Sequence, residues 1–230
     1  MLIGTGIVIL ASFCVVYALS LLTQPRRIHR LFLGLGFGMI AFGVAFSIQN
    51  ALFSSNILSI RQIQLFSAPL LEELLKAVFL ATLITRVKWL EPGEGLLYGF
   101  GVGIGFALVE SVIYMMVDPA QALNIAVARS VSVNLMHGVG VGLLGFGMAF
   151  RVQKRIGRTP VLVLIVAAVV IHAVSNVLTI ERGIYGTAGA IALSITGIIF
   201  LAALSKITLR PIPGTTIQSI QPIPSTQHPA

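Results

Sequence analysis

From residue 2 to residue 205 the sequence is a series of apolar runs, each about as long as a bilayer is thick, parted by short breaks that hold most of its Lys and Arg. A helix needs roughly 20 mostly apolar residues to cross about 30 Å of hydrocarbon, and no water there satisfies an open backbone. Runs of this length and continuity fold as helices packed side by side. The expected fold is all-α, a polytopic transmembrane bundle of about seven spans, at about 2–22, 31–53, 67–86, 95–117, 124–150, 160–180 and 186–205. Composition excludes an ordinary soluble domain, because 57% of the 230 residues are hydrophobic and 10% are charged. The first run is as long as a full span and lacks a basic leader or a persuasive cleavage site. It is expected to be a retained helix, with the mature chain starting near Met1. Cys14 is the one cysteine, so no intramolecular disulfide forms and cysteine usage does not report the compartment.

The breaks orient the bundle. Arg26, Arg27, Arg30, Arg86, Lys88, Arg151, Lys154, Arg155, Arg158, Lys206 and Arg210 fall on one side, against Arg61 and Arg182 on the other. Basic loops stay in the cytoplasm, which places the N-terminus outside and the C-terminus inside a multi-pass protein of the cell membrane. The formal charge of +8 is mostly this orientation signal and no nucleic-acid footprint. The membrane domain is expected over 1–206, with 207–230, rich in Pro, Ser, Thr and Gln, as a disordered cytoplasmic tail. SSNILSIRQIQLF, before the third span, is too polar to cross and suits a short surface helix, with Pro69 starting the span that follows. GFGVGIGF has no strand before it and no Lys-Ser/Thr after it. Its Gly99/Gly103 and Gly101/Gly105 pairs, like Gly138/Gly142, are helix-packing faces rather than a phosphate loop.

Three of the seven acidic residues, Glu72, Glu73 and Glu110, lie inside expected spans. Ionisable groups at that depth are costly, face the protein interior and mark function. Lys76 follows Glu72 by four, Glu110 follows Phe106 by four, and Asn176 follows His172 by four, so three helices each present a paired stripe. At a rise of about 1.5 Å per residue, Glu72 and Glu73 lie roughly 8 Å below the outer end of their helix and Glu110 roughly 10 Å below its own. His172 falls about 12 Å from the outer end of the sixth span, Asn176 is about 6 Å shallower, and His137 is nearer the middle. These groups converge in the outer half. Paired carboxylates and imidazoles can perform general acid/base chemistry, one Glu activating water, while His172 and Asn176 can stabilise an oxyanion. No hydroxyl or thiol is equally well placed as a nucleophile. Glu110, His137 and His172 also offer N and O ligands for zinc with an open position, although there is no HExxH.

These residues resemble a known family. LEELLK, with Glu72, Glu73 and Lys76, looks like the EExxK motif of the PrsW family of intramembrane proteases; FALVE, from Phe106 to Glu110, resembles its FxxxE motif. His137 after Arg129, and HAVSN from His172 to Asn176, resemble its later blocks, so the likeness runs from about 68 to 180. It implies an endopeptidase whose site lies in the membrane and whose substrate is a membrane-anchored protein or peptide; bacterial PrsW proteins start cleavage of an anti-sigma factor. The related CAAX-processing branch has EExxxR and FxxxH, from which this chain departs, so prenylated substrates are not expected. By the same resemblance Glu72 or Glu73 is the general base, tuned by Lys76; His172 and Asn176 polarise the scissile carbonyl; Glu110 and His137 complete the water site or bind metal. Arg129 is expected to be a structural support or a cap near the outer interface.

Other readings use the same groups. Glu72 and Glu73 can form a structural ion pair with Lys76 and Arg129, and His172 with Asn176 an interhelical hydrogen bond worth roughly 1 kcal/mol. A proton- or cation-coupled transporter or channel also keeps acids and imidazoles in the membrane, but the sequence has neither an internal repeat nor paired broken helices. A non-catalytic membrane scaffold would tolerate loss of the glutamates. The partners named by the sequence are the lipid bilayer and a membrane-associated substrate, with no nucleic acid; oligomeric state is not encoded legibly.

Overall fold

The apolar runs become helices whose long hydrophobic side chains point outward as well as inward, as lipid requires. The computed structural model describes residues 2–23, 28–87, 90–181 and 183–208. Its helices are α1 (Leu2–Thr23), α2 (Ile28–Ser54), α3 (Ile60–Gln62), α4 (Ala68–Ile84), α5 (Pro92–Val117), α6 (Ala122–Val131), α7 (Val133–Val152), α8 (Thr159–Glu181) and α9 (Gly183–Thr208). No strand occurs among the described residues. Among the described residues four stretches are long and apolar enough to cross a membrane: Ile28–Ser54, Pro92–Val117, Pro119–Val152 and Thr159–Thr179. The protein is a multi-pass all-α membrane bundle. The tail from residue 209, and Arg26, Arg27, Lys88, Arg182 and Arg210 of the charge pattern, lie outside the described residues.

Helix α5 is the axis of the packing, with α2 along one side and α7 along the other. Its glycines explain how one helix can be so closely flanked. A Cβ on Gly101 or Gly105 would fall on the carbonyl of Leu31 or Leu35 in α2, while one on Gly99 or Gly103 would fall on that of Val141 or His137 in α7. The four-residue spacing thus builds two opposite smooth faces, as the sequence led us to expect. Leu96, Leu97, Phe100, Ile104 and Phe106 fill the space between them. In contrast Leu162, Val163, Val166 and Val170 of α8 and Phe32, Ile40 and Phe46 of α2 are exposed, as on a face that meets lipid.

Two boundaries differ from expectation. Ser59 opens a helical path with a reciprocal cap, its hydroxyl accepting from the Gln62 amide while the Gln62 side chain accepts from the Ser59 N–H. That path does not stop at the surface. It runs through a π-helical turn, Ile63–Ser67, straight into α4. Pro69 stands in the first turn of α4, as expected, but that turn continues the π turn instead of opening a separate helix. The second difference is in the run expected over 124–150, which divides at Ser132 into α6 and α7. There the Ser132 hydroxyl donates to the Ala128 carbonyl at 2.7 Å, and the Ser132 carbonyl accepts from Ser194 Oγ of α9 at 2.9 Å. A straight helix over the 34 residues of Pro119–Val152 would be about 51 Å long, well beyond the hydrocarbon thickness, so a break shortens its reach.

Candidate active site

Helix α4 carries its charges on one face. Glu72, Glu73, Lys76, Ala77 and Leu80 are buried, while Phe66 in the π turn and Leu70, Leu74 and Val78 in α4, four apart, are exposed on the other. The two adjacent glutamates reach different neighbours. Glu72 turns to α2, where Gln49 Nε2 donates to its Oε1 at 3.0 Å. Glu73 turns to α7 and α8: its Oε1 accepts from Lys76 Nζ at 2.7 Å and from His172 Nδ1 at 2.9 Å, and lies 3.5 Å from His137 Nδ1.

These contacts fix the tautomers, since a carboxylate oxygen accepts and an ammonium donates. His172 holds its proton on Nδ1, against Glu73, and turns Nε2 toward Glu72 Oε2, 3.9 Å away. Lys76 Nζ donates to His137 Nδ1 at 2.6 Å, so the proton of that ring is on Nε2, which donates to Glu110 Oε2 at 3.2 Å. The two rings meet edge to face, 4.7 Å between centroids. Phe106 closes the floor, with the Lys76 ammonium 4.1 Å from its ring centroid. Arg129 of α6 pairs with Glu110 Oε2 at 2.8 Å, stacks over Tyr114 and donates from Nε to Ser111 Oγ. Four packed helices, α4, α5, α7 and α8, with α6 behind, thus bring Glu72, Glu73, Lys76, Glu110, His137 and His172 into one buried cluster.

Each site residue expected from the sequence can now be placed. Glu72, Glu73, Glu110, His137 and His172 converge, Lys76 stands among them, and Arg129 supports Glu110 rather than the α4 glutamates. Asn176 is one turn from His172 and is engaged elsewhere, donating to the Gln64 carbonyl in the π turn at 2.8 Å. A carbonyl in that turn has a displaced helical partner, which gives the amide its place. The sequence reading missed Gln49, and it missed a buried string behind Arg129: Asn134 Nδ2 donates to Ser12 Oγ at 3.0 Å, and Ser111 Oγ donates to Asn134 Oδ1 at 3.2 Å. Amides in apolar spans, Gln49 with Asn50 in FSIQNALF and Asn134 in VNLMHG, were the available signal.

One group of buried side chains in this cluster could hold a metal ion. Glu72, His137 and His172 are buried and each offers a ligand atom, all within 4.8 Å of one another. The acid in this group is Glu72, whereas the sequence pointed to Glu110, whose Oε2 is here engaged by Arg129 and His137. Two further observations fit a cation. Glu72 Oε2 is buried without a hydrogen-bond partner. Three carboxyl groups, Glu72, Glu73 and Glu110, also face two fixed cations, Lys76 and Arg129, so the cluster has one carboxyl more than it has cations to pair. The second shell is present too: each imidazole has its far nitrogen on a carboxylate, Glu73 for His172 and Glu110 for His137, the arrangement that orients metal-binding histidines.

Comparison with known proteins agrees with this chemistry. Neither curated proteins nor solved structures gave a match. A family model described as PrsW family intramembrane metalloprotease matches residues 24–204, more than half of the 230-residue chain and the whole of the Glu72–His172 cluster. A multi-pass helical protein matched over that length is a peptidase acting in the bilayer on membrane-embedded protein, and the chain belongs to the PrsW family of intramembrane metalloproteases.

Proposed function

We propose that the chain hydrolyses a peptide bond of a membrane-anchored protein with a water activated by Glu73, at a site where Glu72, His137 and His172 hold a zinc ion. The observation that carries this reading is the buried Glu72 Oε2, which makes no hydrogen bond and lies 3.9 Å from His172 Nε2. Zinc, when bound, supplies a Lewis acid that polarises the scissile carbonyl and makes water more acidic. Everything else falls to side chains of this protein. Glu73 takes both Lys76 and His172 on the same oxygen, Oε1, and we assign its Oε2 to accepting the proton of the attacking water and returning it to the leaving amine. Glu110 holds the Nε2 proton of His137, and Arg129 holds Glu110. Asn176 keeps α8 in register through Gln64; to polarise a substrate carbonyl it would have to give up that bond. The burial of the cluster keeps bulk water from competing with the substrate. The same reading takes seven spans over 1–206, with the N-terminus outside the cell membrane and residues 207–230 in the cytoplasm.

Reconstitution with a single-pass substrate tests it. Wild type should cleave; Glu72→Gln, Glu73→Gln and His172→Ala should each lose cleavage by at least about a hundredfold. A chelator should silence the wild type and added zinc should restore it. Cleavage that survives all three substitutions overturns the assignment, and cleavage indifferent to the chelator overturns its metal component.

A further inference from the structure

The ammonium of Lys76 stands at the nitrogen that a metal would need. Of the two nitrogens of His137, Nε2 is committed to Glu110, so Nδ1 is the ligand atom, and Lys76 Nζ lies 2.6 Å from it. The same ammonium is 2.7 Å from Glu73 Oε1 and 3.9 Å from Glu72 Oε2, and its side chain is 0% exposed. Ligand atoms around a tetrahedral zinc, each about 2.1 Å from it, are about 3.4 Å apart, so a set spread over 4.8 Å must close to bind one. A cation on His137 Nδ1 and an ammonium at 2.6 Å from that atom exclude each other sterically and by charge. Resting on the zinc assignment above, we infer that Lys76 is an internal competitor for the metal: binding requires its ammonium to leave His137 Nδ1, and this lysine sets how tightly the ion is held.

The surroundings give the displaced group somewhere to go. Glu73 Oε1 already binds it, and the face of Phe106, 4.1 Å away, attracts a cation. A small withdrawal along the Glu73 carboxylate frees Nδ1 while the buried charge stays paired. Lys76 is on this account a positioning residue. It holds the carboxylate and the imidazole apart until an ion draws them together.

The test is metal affinity in the full-length, detergent-solubilised protein, read with cobalt(II) by its absorption bands and with zinc by competition against a chromophoric chelator. Lys76→Met, which keeps the length of the side chain and removes the charge, should bind both ions at least about tenfold more tightly than wild type, on the scale by which neighbouring shells alter metal affinity. Lys76→Arg, which keeps the cation, should bind no more tightly than wild type. Should Lys76→Met not fold, Lys76→Gln retains a donor for Glu73 and should show the same gain. Equal or weaker binding in the neutral variants, with wild-type binding that is lost in His172→Ala, overturns the competitor role and leaves the zinc site standing. Absence of binding in wild type and neutral variants alike overturns both.

Discussion

Glu72 and Glu73 are neighbours in sequence and opposites in partnership. Glu73 neutralises Lys76, a buried cation with no exposure to solvent, and anchors His172, so Glu73→Gln leaves an ammonium without its closest counter-charge. Removing one partner of a buried pair typically destabilises by about 3–5 kcal/mol. Glu72 gives one oxygen to Gln49 while the other makes no hydrogen bond and lies 3.9 Å from Lys76, a longer pair than that of Glu73, so Glu72→Gln should alter stability by less than about 1 kcal/mol. The expectation is a pair of variants equally inactive but unequal in thermal unfolding, Glu73→Gln melting well below wild type and Glu72→Gln close to it. Equal melting temperatures would show that Glu73 is not the partner that keeps Lys76 buried. The glutamates and histidines of this cluster were legible in the sequence because charge in hydrocarbon is so costly that three acids in apolar runs demand a cause. Gln49, Asn134 and Ser111 were not. A neutral polar group in a span carries a small penalty, and nothing in its local spacing says which helix it will meet.

The two glycine faces of α5 are close in sequence and differ in what lies across from them. Gly103 packs against the backbone of His137 itself, whereas Gly101 packs against Leu31, near the start of α2 and away from the cluster. Alanine at either place forces backbones apart, at about 1–3 kcal/mol by the usual scale of overpacking. Gly103→Ala should in addition displace His137, and therefore lower cleavage and cobalt(II) affinity at matched folding, while Gly101→Ala should lower stability and leave both nearly intact. Similar losses of activity in the two variants would mean that α7 is free to relax without disturbing its histidine. The string of Ser12, Asn134, Ser111 and Arg129 works at the same level, fastening α1, α5, α6 and α7 behind Glu110. Most helices were legible because span length and apolar runs suffice to place them. The division at Ser132 was not, since the apolar pattern passes through it without Pro or Gly and the break is held by a contact from α9. Continuity from Ser59 into α4 was hidden for the opposite reason: polarity and Pro69 read as a boundary, while a π turn carries the helix across it.

At the level of the whole molecule, the cluster lies toward one end of the bundle. Glu72 is four residues from the start of α4, His137 four from the start of α7, Glu110 seven from the end of α5 and His172 nine from the end of α8. Those helix ends share the side of the short loop that carries Arg61, while the ends flanking Arg86 and the Arg151–Arg158 loop are opposite. On that opposite side Arg30 of α2 pairs with the buried Glu94 of α5, and Gln153 donates to the Leu90 carbonyl, contacts that tie the basic end of the bundle together. If basic loops mark the cytoplasm, the site opens toward the outer half of the membrane. Cysteine accessibility decides this. With Cys14 replaced by Ser, Ser55→Cys and Gly157→Cys each place a thiol at an exposed position, on the Arg61 side and on the basic side respectively. In intact cells a membrane-impermeant maleimide should label the cysteine at 55 directly and the cysteine at 157 after lysis alone. Substrates should accordingly be cut nearer the outer boundary of their own span, seen as a C-terminal fragment that keeps most of its apolar residues when its N-terminus is outside. The reverse labelling would turn the bundle over and put the same chemistry in the cytoplasmic half.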